Sequence, residues 1–322
     1  MFNFFKKKEQ LGLLAPDPTD IRDYLLADIQ ADVKLPEVFD LRDTMLSIQR
    51  QFWGTCTAHA ADGVKEYQEQ VKLSQRFIYF NMKKISGLYT IQGDYIRNAL
   101  KSVVEYGACL EADFPDNKNI SWERYLAKEP SIKNYEDAEK YKGASYFRVA
   151  RGVNSFKQAI FQNKTPVATG MMWFKSYRKP EFDGKLPLSS ESLGGHAISC
   201  VGWDKTGLWF RNSHGTSYGK DGYFFIPYDE FDKHQIWDAW VLLDIKEKFL
   251  KGYCASNFLK KKAIPQFNIG DKATVTVPRL NLREDPNGKK VGMLVRSQEV
   301  EVIGKETIGA NYRWVKIKTK VV

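Results

Sequence analysis

Residues 194–226 read GGHAISCVGWDKTGLWFRNSHGTSYGKDGYFFI. The apolar runs His196–Trp203, Gly207–Arg211 and Gly222–Ile226 predict three short strands separated by turn residues. His196 opens the first strand behind Gly194 and Gly195, two residues that let a second backbone approach closely and give little steric cover. Asn212 ends the second strand, in the run Arg211-Asn212-Ser213-His214-Gly215. An amide oxygen beside an imidazole fixes its ring, and an imidazolium beside a thiolate forms an ion pair. Alone, a histidine in a strand is more often structural, and Asn before Ser and Gly is more often a turn.

A thiol lies upstream, in Gln51-Phe52-Trp53-Gly54-Thr55-Cys56. From Cys56 a helix is predicted, with Ala60, Val64, Tyr67 and Val71 at three- and four-residue steps forming one apolar stripe on a charged segment. A cysteine attacks as its thiolate, and a helix N-terminus lowers its pKa because unpaired N–H groups and the helix dipole favour negative charge there. A second helix is predicted around residues 93–106, capped by Gly107, and a short one over 155–162. Strands are predicted over Pro166–Trp173 and Ala239–Asp244. The order, helical first and strand-rich later, implies an α+β domain of two halves with a ligand cleft between them.

The remainder sets bounds. A chain of 322 residues with 43% hydrophobic and 14% aromatic residues is globular, and its length suits one large domain and one small one. Cys56, Cys109, Cys200 and Cys254 are widely spaced, which argues against a zinc site or a disulfide framework; neither cofactor nor metal is expected. No run approaches the ~20 apolar residues of a membrane helix. The opening MFNFFKKKEQLGLLAP places aromatics before lysines, the reverse of a secretory signal, so synthesis in a cytoplasm is expected. The net charge of +10 is spread over scattered lysines, the pattern of a solvated surface rather than a nucleic-acid site. Residues 1–35 read as a polar arm packed along the main domain and 246–265 as a connector. Residues 266–322 read as a small β-barrel of five short runs (ATVTV, LNLRE, KVGML, EVEVIGK, RWVKIK) broken by PNG and IGAN turns, with eleven Lys/Arg against six Asp/Glu.

Taken together, Gln51…Cys56, Gly194-Gly195-His196 and Asn212-Ser213, with His196 140 residues beyond Cys56 and Asn212 16 beyond His196, resemble the papain family of cysteine peptidases. The resemblance covers roughly residues 36–245 and extends to LPEVFDLRD, LSQRFIYFNMK, GDYIRNALKSVVEYGACLEADFP and SFKQAIFQNKTPVATGM. It implies a two-lobed fold and peptide-bond hydrolysis, with Cys56 as nucleophile, His196 as proton carrier, Asn212 as the group that orients it, and Gln51 with the Cys56 N–H at the oxyanion. It further places Gly93 and Gly195 where substrate backbone binds. Several departures stand out. Gln51 is one residue closer to the cysteine than usual, and Phe52 replaces a glycine. His214 stands where a tryptophan shields the His–Asn bond. Trp53 replaces a cysteine, so the family's first disulfide is absent. The segment PRLNLREDPNGKKVGMLVRSQEVEVIGK…YRWVKIK resembles a bacterial SH3-like domain, which implies a targeting module. The functions this leaves are a cysteine endopeptidase acting on proteins or peptides, a phage or bacterial lysin cutting peptidoglycan stems, and a non-catalytic assembly protein on the same fold.

Overall fold

The computed structural model describes residues 14–20, 23–117, 119–181, 183–188 and 191–244, and beyond these the strands named below. The chain divides into two compact units, residues 1–24 with 33–244, and residues 25–32 with 245–322.

The first unit is built on helix α1 (Cys56–Glu69). The sequence predicted a single apolar stripe, but every residue from Cys56 to Glu66 is buried. Its charged members are admitted by pairing. Lys65, wholly buried, meets Glu69 at 2.7 Å and Asp244 at 2.8 Å, and Gln75 donates to Asp62 at 2.7 Å. Helix α2 (Gln75–Ser86) starts where the Ser74 hydroxyl accepts the Phe77 N–H and stops at Gly87, whose φ of 72° a side chain would resist. Helix α3 (Ile96–Tyr106) ends at Gly107 as predicted. Two short helices, α4 (Trp122–Ala127) and α5 (Ile132–Ala138), follow, each capped by a serine. Helix α6 (Val153–Asn163) covers the predicted 155–162.

The sheet of this unit comprises β1 (Phe39–Asp40), β2 (Ser145–Arg148), β3 (Val167–Phe174), β4 (Ser192–Trp203), β5 (Gly207–Arg211), β6 (Tyr223–Pro227) and β7 (Ile236–Leu243). Its order is β2-β7-β3-β4-β5-β6, with β1 on β4, and every pairing is antiparallel. Helix α1 lies against β4, where the Ser199 hydroxyl donates to the Ala60 carbonyl at 3.2 Å. One hydrophobic cluster joins Cys56, Ala58, Ala60 and Val64 of α1 to Ala168 of β3, Ala197 of β4 and Trp240 of β7. The helix-borne thiol is thereby seated on the strand that carries His196.

The second unit is an antiparallel sheet of β8 (Phe249–Ala255), β9 (Leu259–Lys261), β10 (Lys272–Val275), β11 (Arg279–Arg283), β12 (Lys290–Val295), β13 (Glu299–Val302), β14 (Thr307–Ile308) and β15 (Arg313–Lys320). Its order is β12-β11-β8-β15-β13-β10-β9, with β14 on β15. The five predicted β-runs coincide with β10, β11, β12, β13 and β15. The stretch 246–265, read as a connector, instead supplies β8 and β9, and β8 pairs along β15 from Phe249 to Ala255. The predicted PNG turn, and the IGAN turn beyond Ile308, lie outside the described residues.

Candidate active site

Cys56 is the first residue of α1 and has no exposed surface. The backbone amides of Ala197, Thr57 and Cys56 itself come within hydrogen-bonding reach of its thiol. The Ala197 amide adjoins His196, so helix and strand meet at the sulfur. Burial dominates the electrostatics: it pushes the thiol up to about 11, against the pull of those three amides. The helix terminus was expected to ionise this thiol. In this conformation, desolvation outweighs it.

His196 is equally buried, in the middle of β4. Its Nε2 lies 2.8 Å from the Asn212 Oδ1. The Ser213 N–H donates to the same oxygen at 2.8 Å. A backbone N–H can only donate, so the Asn212 atom is the carbonyl oxygen and His196 Nε2 carries the hydrogen. Nδ1 is then the basic nitrogen, and it is buried with no hydrogen bond among the described residues. Burial first, and the neighbouring His214 second, push the imidazole down to about 3, with the Asn212 bond opposing. Burial thus favours the neutral form of both groups, thiol and imidazole.

One residue that frames the ring carried no signal in the sequence. Trp173 of β3, wholly buried, sets its indole edge-on to His196 at 4.5 Å between centroids, and to His214 at 5.5 Å. His214 stacks on His196 at 4.9 Å, and its Nδ1 is 3.2 Å from the Asn212 Nδ2. An apolar ring from β3 and an imidazole from the turn thus keep water from the His196–Asn212 bond. The register that places Trp173 opposite Gly194 is what brings it there. Only strand pairing reveals it.

Gln51 is held beside this group. Its N–H donates to the Ser213 carbonyl at 2.8 Å, and its Oε1 accepts the Ser213 hydroxyl at 2.5 Å. Its Nε2 donates to the Trp53 carbonyl at 3.0 Å, which engages one amide hydrogen of two. The following loop is fixed by Gln92, whose Oε1 accepts the Gly54 N–H at 2.9 Å.

Gly93 has its backbone engaged within the domain. Its N–H donates to the Tyr79 hydroxyl at 3.0 Å, and its carbonyl accepts from the buried Lys83 ammonium. Both backbone groups that a substrate would need are already engaged inside the domain. Gly195 does adjoin the site, but residues of the chain's own arm lie on it. A methyl group at Gly195 would overlap the Leu14 carbonyl and side chain, and Leu14 is buried in the cluster that holds Cys56 and Ala197. Beyond it, the Asp17 N–H donates to the Asp238 carboxylate and the Trp240 indole N–H donates to Asp17 at 2.7 Å. Arg97 pairs with Asp23 at 2.8 Å. Leu14 thus lies against the residue next to His196, and Asp17 is anchored on β7. Among the described residues there is no group of three or more His, Cys, Asp or Glu side chains able to hold a metal ion, and no helix long and apolar enough to cross a membrane.

A thiol at a helix tip, an imidazole from a facing sheet and an amide behind the imidazole define the layout of a thiol-dependent peptidase. The sequence pattern of the papain family cysteine proteases matches residues 35–241. The chain belongs to that family and is a papain-like cysteine peptidase. It is similar to xylellain, a cysteine protease from Xylella fastidiosa, with 29% identity, 74% of this chain and 98% of that one covered, and a TM-score of 0.66. It is 25% identical to an uncharacterized peptidase C1-like protein of Acanthamoeba polyphaga mimivirus, over 78% of this chain and 89% of that one. A digestive procathepsin L of Tenebrio molitor larval midgut, 17% identical at a TM-score of 0.53 over 69% of this chain and 74% of that one, shares the fold.

Proposed function

We propose that the chain hydrolyses peptide bonds through Cys56, His196 and Asn212. The observation that carries this reading is the hydrogen bond from His196 Nε2 to Asn212, which leaves Nδ1 as the basic atom on the strand whose Ala197 amide meets the Cys56 thiol. Nδ1 takes the proton from sulfur as the sulfur attacks the substrate carbonyl carbon. The Cys56 N–H, in the first helical turn where amides have no intrahelical acceptor, and the second amide hydrogen of Gln51 stabilise the oxyanion; one such donor is worth about 3–4 kcal/mol. Nδ1 then passes the proton to the leaving nitrogen, the C–N bond breaks, and a thioester remains on Cys56. Water attacks it with Nδ1 as base, which frees the carboxylate and restores the thiol.

A neutral buried pair is a resting state for this chemistry. Withdrawal of Leu14 from Gly195 exposes the site to substrate and water, and removes the burial that holds the thiol up and the imidazole down. The β-rich unit formed by β8–β15 is proposed to place the peptidase on its target, on the strength of its strand pattern. Cys56→Ala, assayed in the full chain on a fluorogenic peptide, is expected to abolish turnover with an unchanged circular dichroism spectrum. Turnover retained in that variant would overturn the assignment.

A further inference from the structure

We infer that Arg211 is a positioning residue for the reaction, its guanidinium tying together the three segments that carry Cys56, Gln51 and Asn212. Arg211 is the last residue of β5, immediately before Asn212, and it is buried. Its side chain runs across the face of α1 at Gly63, where a methyl group would overlap the guanidinium nitrogen Nη1. Gly63 is two turns down the helix from Cys56, and its missing side chain is what lets the guanidinium lie flat on the helix. Nη2 lies 3.5 Å from the Glu66 carboxylate on the same helix. The same nitrogen lies 3.5 Å from the Leu46 carbonyl and 3.4 Å from the Ser47 carbonyl, in the segment leading to Gln51. One planar head thus reaches the thiol helix and the approach to the oxyanion residue, while its own backbone begins the Asn212 turn.

Neutralising Glu66 does not account for the arrangement. Glu66 already receives Lys72 at 3.1 Å and the Leu73 N–H at 3.2 Å. What Arg211 adds is geometry: α1, the 46–51 segment and the β5 turn are fixed relative to one another by a single rigid fork. Small displacements of reacting groups cost up to about 100-fold in rate, so loss of this tie should appear in turnover rather than in substrate binding.

The inference rests on the Cys56–His196–Asn212 reading, and the test separates the two. In the full chain, Arg211→Met is expected to lower kcat by about 10- to 100-fold with KM within about threefold, measured well below the melting temperature of each variant. Gly63→Ala, a change that ordinarily favours a helix, is expected to give the same kcat loss, because the methyl displaces the guanidinium. Arg211→Met and Gly63→Ala variants that melt earlier but keep wild-type kcat while folded would overturn the positioning role and leave Arg211 purely structural. Activity persisting in Cys56→Ala would instead overturn the underlying reading, whatever Arg211 does.

Discussion

Replacing Asp17 by asparagine should change the pH dependence of the enzyme rather than its chemistry. Burial, and then the charge of Asp238, push the Asp17 carboxyl up to about 7 when the arm is docked, against the Trp240 and Arg97 hydrogen bonds. Asp238 is likewise raised by its burial, and Arg148 and Arg97 oppose this. Released into water, Asp17 returns to the ordinary 3.8. The docked arm holds its proton more tightly than the free arm does. Docking is therefore strongest below about pH 4 and is progressively lost as pH rises towards about 7. The gap between 3.8 and about 7 corresponds to roughly 4 kcal/mol at ~1.4 kcal/mol per tenfold change in proton affinity. That is comparable in size with the ~1.5–3 kcal/mol that burying the Leu14 side chain returns, so ionisation weakens docking substantially. The substituted amide keeps an acceptor for Trp240 and gains a donor for Asp238, and it has no proton to lose. The assay is the initial rate of Cys56 alkylation by iodoacetamide, wild type divided by Asp17→Asn, from pH 5 to pH 8. Taking the ratio cancels titrations common to both chains, those of the thiol and imidazole included. It is expected to rise by about 10-fold or more between pH 5 and pH 8. A ratio that stays flat across this range would refute the argument.

Other consequences are more local. Leu14→Asp should undock the arm at any pH and raise kcat/KM at pH 5 by about 10-fold or more, as read with a short peptide substrate; no gain would mean that Leu14 does not limit access. Asn212→Ala removes the acceptor that holds the Nε2 tautomer of His196, and kcat should fall by about 10- to 100-fold with little change in KM. Trp173→Ala empties the space against both imidazoles and should cost about 3–5 kcal/mol in chemical denaturation, with a kcat loss surviving at temperatures where the variant is folded. Lys65→Met removes the buried ammonium shared by Glu69 and Asp244 and should destabilise the first unit by about 1.5–3 kcal/mol, again read by denaturation.

Much of the site was legible because its elements begin and end on residues with physical signatures. Gly54-Thr55-Cys56 announced the start of α1, and Gly107 announced the end of α3. The alternating glycines and apolar runs of 194–226 announced β4, β5 and β6. What the sequence hid depends on partners distant along the chain. Helix α1 looked amphipathic because Lys65 and Glu66 are charged. Only the fold supplies Asp244, which lets Lys65 lie inside. Trp173 needed the β3–β4 register, and β8 needed β15, before either acquired a role. The resemblance placed Gly93 near a substrate-binding glycine, with the local spacing off by one, and Tyr79 and Lys83 engage its backbone. The protonation of Cys56 went the other way for the same reason. A helix N-terminus can be read locally, whereas complete burial cannot.

The central requirement is that Cys56 forms a bond to substrate while His196 moves the proton. Rapid quenching of the full chain during turnover of an activated ester, followed by peptide mapping in a mass spectrometer, reads this directly. The prediction is an acyl adduct on Cys56, with Cys109, Cys200 and Cys254 unmodified, which disappears when His196→Ala is substituted. An adduct carried by another residue, or one that accumulates at the same rate without the imidazole, would contradict it.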